Sequence, residues 1–148
     1  MRSAIVDRAL DPAALAAAVS APDCGAVLLF VGAVRDTNEG RDVSGIEYAA
    51  YRAMAERELA DIVREAEARF AGARVAAEHR VGTLAVGEAS VAIAVGHGHR
   101  GAAYDASRYV IEEIKRRLPI WKREHYTDGT REWVHAGTGA AGARAMSR

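Results

Sequence analysis

Lysine is scarce in this chain, and its two positions suggest chemistry. Of twenty basic residues only two are lysines, Lys115 and Lys122, seven residues apart in Lys115-Arg-Arg-Leu-Pro-Ile-Trp-Lys122-Arg-Glu124. A composition that prefers arginine elsewhere keeps here the basic side chain that can lose its proton and attack or shuttle protons, which arginine cannot. For Lys115 there is a second reading. Basic residues suit the last turn of a helix, so Lys115, Arg116 and Arg117 could simply complement the dipole, and chance alone could also leave two lysines. A second candidate is Gly96-His-Gly-His-Arg-Gly101, where an apolar strand gives way to a helix. The first turn of that helix offers unpaired N–H groups, and His99 and Arg100 would add to a phosphate or carboxylate site there. An exposed tight turn is the alternative. Arg35 is the third candidate, at the end of the most hydrophobic strand, where its fork of donors could hold a phosphate; as a bare loop charge it would do nothing. A metal is not expected at His97 and His99, because the remaining His79, His125 and His135 lack zinc-like spacing.

The elements that must position these residues follow from periodicity. Residues 3–10 read as a strand and 12–20 as a short helix, with Asp11 as N-cap and Pro12 in its first turn. Residues 25–34 are a continuous apolar run, expected of a strand buried on both faces. A polar loop follows at 35–42, then a strand at 45–51. Residues 53–70 form the clearest helix, with Leu59, Ile62, Val63, Ala66 and Phe70 at spacings of three and four. Strands are expected at 74–80 and 89–95. A second long helix spans 101–118, with Ala103, Ala106, Val110, Ile114 and Leu118 on its apolar stripe, and Pro119 stops it. Residues 120–126 and 132–135 read as two short strands around Asp128-Gly129. The pattern is α+β in two layers, with a mixed sheet and two long helices. Residues 1–135 make one catalytic domain, and 136–148 a Gly/Ala-rich tail without apolar periodicity, expected to be flexible.

Composition narrows the function. The 148 residues carry zero net charge and a pI near 7.0, which argues against nucleic acid or an anionic membrane as the main partner. Cys24 is the only cysteine, so no intrachain disulfide can form, in keeping with a reducing, cytoplasmic setting. Residues 12–22 superficially resemble a signal sequence, but Asp7, Arg8 and Asp11 break the apolar run. No run reaches membrane-spanning length.

Three blocks in order resemble the large, catalytic subunit of molybdopterin synthase, the MoaE family: Phe30-Val-Gly-Ala-Val-Arg35 with Asn38 and Gly40, then His99-Arg100 before Ala103-Tyr104, then Lys115 with Pro119-Ile-Trp-Lys-Arg-Glu124. The likeness runs from about Gly25 to Val134. It implies an α/β-hammerhead fold and a homodimer. Each end of the dimer would bind a small β-grasp sulfur carrier of the MoaD type, giving a heterotetramer. The carrier's C-terminal Gly-Gly tail, as a thiocarboxylate, would thread into a pocket. Two sulfur transfers would then convert cyclic pyranopterin monophosphate into the dithiolene of molybdopterin. By the same resemblance Arg35, His99 and Arg100 hold the anionic pterin and the tail. Lys115 and Lys122 assist at the reacting carbons, as acid–base groups or as stabilisers of developing negative charge; which lysine does which stays open. No cofactor or metal is implied. In the family, charged groups after the second lysine often complete a neighbouring subunit's pocket, whereas residues 136–142 here carry none. Two rivals are a non-catalytic paralogue that only binds a carrier or an anion, and an unrelated phosphate-transferring enzyme. The second would need a metal-binding carboxylate near the Gly96–Gly101 turn, and only Asp105 is close.

Overall fold

The computed structural model describes residues 2–136. The elements in chain order are β1 (Arg2–Val6), α1 (Pro12–Val19), β2 (Ala26–Ala33), β3 (Thr37–Asn38), β4 (Arg41–Ala50), α2 (Arg52–Arg69), β5 (Arg74–Arg80), β6 (Gly82–Ala85), β7 (Ala89–His97), α3 (Arg100–Arg117), β8 (Ile120–Tyr126) and β9 (Arg131–His135). They build two sheets. The first has the order β1-β5-β7-β2, with β1 and β5 parallel and the other neighbours antiparallel.

Alternation along β5 and β7 sends different side chains to the two faces of that sheet. Val75, Ala77, Val91, Ile93 and Val95 join the main core with α2 and α3, while Ala76, Ala92 and Ala94 meet Leu15 and Val19 of α1. The small residues let α1 lie close, so close that a Cβ on Gly96 would stand 2.2 Å from the Val19 carbonyl oxygen. As expected, Asp11 caps α1, its carboxylate accepting from the Ala14 N–H at 3.2 Å, with Pro12 opening the helix. On the other face, Leu59, Ile62, Val63 and Ala66 of α2 and Ala103, Ala106, Val110 and Ile114 of α3 form the buried stripes. Arg117 ties the two helices together, pairing with Glu65 at 2.5 Å and Glu58 at 3.4 Å, and the Tyr109 hydroxyl donates to Glu65 at 3.0 Å.

The second sheet has the order β3-β4-β8-β9, with β6 also on β4. Its inner residues Val43, Ile46, Tyr48, Leu84 and Ile120 belong to the same core as the helices. In β4 the register steps from Val43 opposite Tyr126 to Gly45 opposite His125, which leaves Ser44 as a bulge. In β7 a second step, between the partners of Gly32 and Ala33, makes Ser90 the extra residue.

The α+β architecture matches the pattern in the sequence, while two local expectations give way and one strand goes unread. Residues 25–34 were expected to be buried on both faces, yet β2 is an edge strand, with Val27 42%, Leu29 43%, Phe30 37% and Val31 41% exposed. An apolar run records that a strand avoids water, not which chain covers it. The polar loop at 35–42 is a hairpin, in which β3 pairs with β4 around Glu39 and Gly40, at φ 51° and 77°. The strand at residues 82–85 has too short an alternating stretch to be read from the sequence. The expected tail lies outside the described residues apart from Ala136. Among the described residues no helix is long and apolar enough to cross a membrane, and no cluster of three or more potential metal ligands forms.

Candidate active site

A cleft of about 170 Å³ opens where the end of β2, the start of β7, the last turns of α3 and the inner face of the second sheet meet. Arg35, Lys115 and Lys122 line it, together with Asn38, Tyr48, Ser90 and Glu124. Lys115 arrives from α3 one turn after Ile111, which shares its face. The helix stops at Leu118, and β8 begins at Ile120. The chain therefore reverses between the lysines, and residues seven apart in sequence meet at one cleft. Lys122 stands directly across the β4–β8 ladder from Tyr48, and Glu124 across from Ile46. The Ser44 bulge lets Val43 share the cleft face with Ile46 although they are three apart.

The two lysines have different surroundings. Lys122 Nζ lies 3.2 Å from Glu124 Oε1. Glu124 Oε2 accepts from Asn38 Nδ2 at 2.6 Å and from the Tyr126 hydroxyl at 2.6 Å. Burial alone would push the Glu124 carboxyl up, but the Tyr126 hydroxyl, the Lys122 charge and Asn38 outweigh it and hold the pKa below the usual carboxylate range. Lys115 has no hydrogen bond or ion pair among the described residues. Part of its side chain reaches solvent, but the cleft walls crowd its amine. That desolvation first, and the Lys122 charge second, lower its pKa. Arg35 is exposed at the cleft rim and likewise has no hydrogen-bond or ion-pair partner among the described residues. The cleft thus holds one cation with a carboxylate and two without, an arrangement suited to an anionic ligand and to negative charge that develops during reaction.

The floor is polar but uncharged. Ser90 Oγ donates to the Gly32 carbonyl at 3.3 Å. Burial raises the Tyr48 phenol pKa, its hydrogen bond to Ser90 opposes this, and the Glu124 charge adds to the rise. Behind Tyr48 the His79 ring packs edge-on at 5.3 Å between centroids. Burial chiefly, with Lys115 adding to it against the Arg80 carbonyl bond, pushes the His79 pKa down to about 4. His79 is therefore neutral near pH 7, with its Nδ1 proton donated to the Arg80 carbonyl at 2.9 Å.

Three of the five residues singled out from the sequence meet in this cleft, and two do not line it. His99 and Arg100 are exposed at the start of α3, about 22 Å along the helix axis from Lys115 at 1.5 Å per residue. There the His99 N–H donates to His97 Nδ1 at 2.9 Å, and His97 Nε2 then donates to the Ala71 carbonyl at 3.0 Å. Sequence reasoning did not assign Tyr48, Ser90 or Glu124 to the site. Glu124 could have been found, because a residue two positions from Lys122 in a strand shares its face. Tyr48 and Ser90 reach the cleft through cross-strand register and a bulge, which leave no local signal.

The two-layer fold, with a small second sheet closing over a lysine-lined cleft, defines an α/β-hammerhead protein. The chain belongs to the MoaE family, whose profile, MoaE protein, matches residues 5–117. It is 46% identical over 113 residues to the molybdopterin synthase catalytic subunit of Halalkalibacterium halodurans, covering 76% of this chain and 72% of that one. Catalytic subunit 1 of the same enzyme from Mycobacterium tuberculosis is 43% identical over 130 residues, covering 88% of each chain. The crystal structure of molybdopterin synthase from Staphylococcus aureus superimposes with a TM-score of 0.83 at 36% identity, covering 88% of this chain and 94% of that chain.

Proposed function

We propose that this chain is the catalytic subunit of a molybdopterin synthase. It takes sulfur from the thiocarboxylate of a small β-grasp carrier of the MoaD type and delivers it to cyclic pyranopterin monophosphate, in two transfers that make the dithiolene. The carrying observation is that the only two lysines of an arginine-rich chain meet in one cleft with Arg35, which has no ion-pair partner among the described residues. A Gly-Gly tail suits that cleft, because it brings no side chains to a wall formed by Phe30, Gly32 and Ala33. The relatives' designation as catalytic subunits fits a protein that works beside another chain, and the lone cysteine fits work in the cytoplasm.

The lysines divide the labour. Lys115, with its lowered pKa and no counter-ion among the described residues, is the group that takes and returns a proton at the reacting carbons. Lys122, paired with Glu124, supplies a positive charge where negative charge develops. Arg35 grips the phosphate of the pterin.

His99 and Arg100 join the site from a second copy of the chain. The exposed apolar edge of β2 is the surface for that copy. Two β2 strands paired antiparallel about a two-fold axis would set the Ala26 end of one beside the Ala33 end of the other. Ala26 pairs with His97 within the chain. Each cleft would therefore receive the partner's His99 and the partner's Arg100 near its own Arg35.

The test mixes the purified chain with thiocarboxylated carrier and cyclic pyranopterin monophosphate and follows dithiolene formation. Product is expected with intact carrier and none with a carrier lacking its terminal Gly-Gly. Tight carrier binding without product would instead favour a non-catalytic paralogue.

A further inference from the structure

Glu124 sits on β8 and is held by a side chain from β3, one strand beyond its neighbour β4. Its two oxygens face different partners. Oε2 takes both neutral donors, Asn38 Nδ2 and the Tyr126 hydroxyl, each at 2.6 Å, while Oε1 faces Lys122 Nζ at 3.2 Å. The side chain is only 8% exposed, so water competes weakly for either oxygen. A carboxylate with one oxygen held by two donors cannot swing, and its other oxygen keeps one direction.

We propose that Asn38 is a positioning residue for sulfur transfer, acting through Glu124 to fix the place of the Lys122 ammonium in the cleft. The proposal rests on the reading of this cleft as the sulfur-transfer site. Closing the hairpin does not account for Asn38's side chain, because other contacts already do so. Backbone pairing joins Thr37 to Asp42 and Asn38 to Arg41. The Arg41 guanidinium stacks 3.5 Å over the Tyr126 ring and also bonds Asp128 and Thr130 in the β8–β9 turn. Among the described residues the Asn38 amide reaches only Glu124 and, at 3.4 Å, Tyr126. The residue type also fits. An aspartate there would set a second negative charge against Glu124, and a serine or alanine would fall short of it. A neutral donor orients the carboxylate and leaves its charge to Lys122. The same contact adds a side-chain tie from β3, just after Arg35, to the strand that carries Lys122, beyond the backbone ladder between β4 and β8.

Two lysines make the test direct, because lysine labelled with carbon-13 at Cε gives one NMR signal per cleft amine, assigned by Lys115→Met. The variants are Asn38→Ala, Tyr126→Phe, which keeps the ring under Arg41, and Glu124→Gln, with melting curves as the folding control. In Asn38→Ala and Glu124→Gln the Lys122 signal should move toward that of a solvent-exposed lysine, and in Tyr126→Phe part of the way. Single-turnover sulfur transfer should fall about tenfold to a hundredfold in Asn38→Ala, as expected for a misplaced catalytic group, while carrier and pterin affinities stay within about twofold. A folded Asn38→Ala protein with an unmoved Lys122 signal and a wild-type rate would overturn the proposal. So would a rate loss explained wholly by weaker carrier binding. If the wild-type chain transfers no sulfur at all, the function assigned to the cleft falls; the NMR signals still decide whether Asn38 holds Lys122 through Glu124.

Discussion

The proposed sharing of His99 and Arg100 between subunits yields a prediction with a fixed stoichiometry. One variant carries Lys115→Ala and the other His99→Ala with Arg100→Ala, each with a different affinity tag, and the two are coexpressed. Tandem purification then isolates dimers containing one chain of each kind. Within one chain the two positions lie about 22 Å apart along α3, too far for both to touch one small substrate. With antiparallel β2 pairing, each cleft combines Lys115 of one chain with His99 and Arg100 of the other. In the mixed dimer one cleft then lacks all three groups, and the other is intact. It should show about half the wild-type turnover per dimer, because the two clefts of a two-fold assembly act alike. Each parental homodimer should be far slower. Losing Lys115 removes an acid–base group worth about a hundredfold to ten-thousandfold, and losing Arg100 removes a phosphate contact worth about 2–5 kcal/mol. Dithiolene formation under saturating carrier is the assay. A mixed dimer no faster than its parents would refute sharing between subunits, and mass measurement of the wild-type protein as a monomer would remove the two-fold arrangement altogether.

Further expectations follow from the same geometry. Lys122→Arg should keep sulfur transfer within about tenfold of wild type, since arginine can still pair with Glu124 Oε1, whereas Lys115→Arg should lose about a hundredfold or more for want of a group that can deprotonate; equal losses in single-turnover rates would dissolve the division of roles. The rate should rise with pH as Lys115 loses its proton, with a midpoint below the ordinary lysine value because crowding in the cleft and the Lys122 charge disfavour its charged form, and that limb should vanish in Lys115→Met. Arg117→Ala should cost about 1 kcal/mol at pH 7, allowing for a Glu65 side chain that is 42% exposed. The bond from Arg117 holds the Glu65 pKa down, so its stabilisation is complete above the ordinary carboxylate value and fades as pH falls through the lowered one. Urea unfolding should therefore show the gap between variant and wild type closing in acid. Gly96→Ala should destabilise by about 1–3 kcal/mol through overpacking, since the new methyl would meet the Val19 carbonyl at 2.2 Å; an unchanged Tm would mean that α1 can move away freely.

Local rules made most of the fold legible. The three-and-four spacing of Leu59, Ile62, Val63 and Ala66 placed α2, and Pro119 placed the end of α3. Asp11 and Pro12 marked the start of α1. What escaped depends on partners distant in sequence. Nothing in the run at 25–34 tells an edge strand from a central one, because that distinction lies in what stands beside it. The hairpin at 35–42 hides among polar residues and shows itself only through the positive φ of Glu39 and Gly40. The site divides along the same line. Lys115, Lys122 and Arg35 stood out by residue type and position. Tyr48 and Ser90 enter by register and a bulge, whereas the separation of Arg100 from Lys115 was already implied by the single helix expected over 101–118.

The bulge at Ser44 also says where this chain can change length. In a strand, adding or losing one residue turns every side chain beyond it to the opposite face. Loss of Glu47 would thus reverse one side of β4 against the other, and Ile46 and Tyr48 could no longer both face Lys122 and Glu124. Loss of Ser44 is different. Val43 and Ile46 would then sit two apart in a regular strand and still share the cleft face, at the cost of the Ser44 hydroxyl's 2.9 Å bond to the His125 carbonyl. Deleting Gly45 would keep the same phase but would move Ser44 to the place where a Cβ meets the Leu84 carbonyl oxygen at 2.9 Å, so Ser44 is the residue whose loss leaves the cleft wall both in phase and free of that clash.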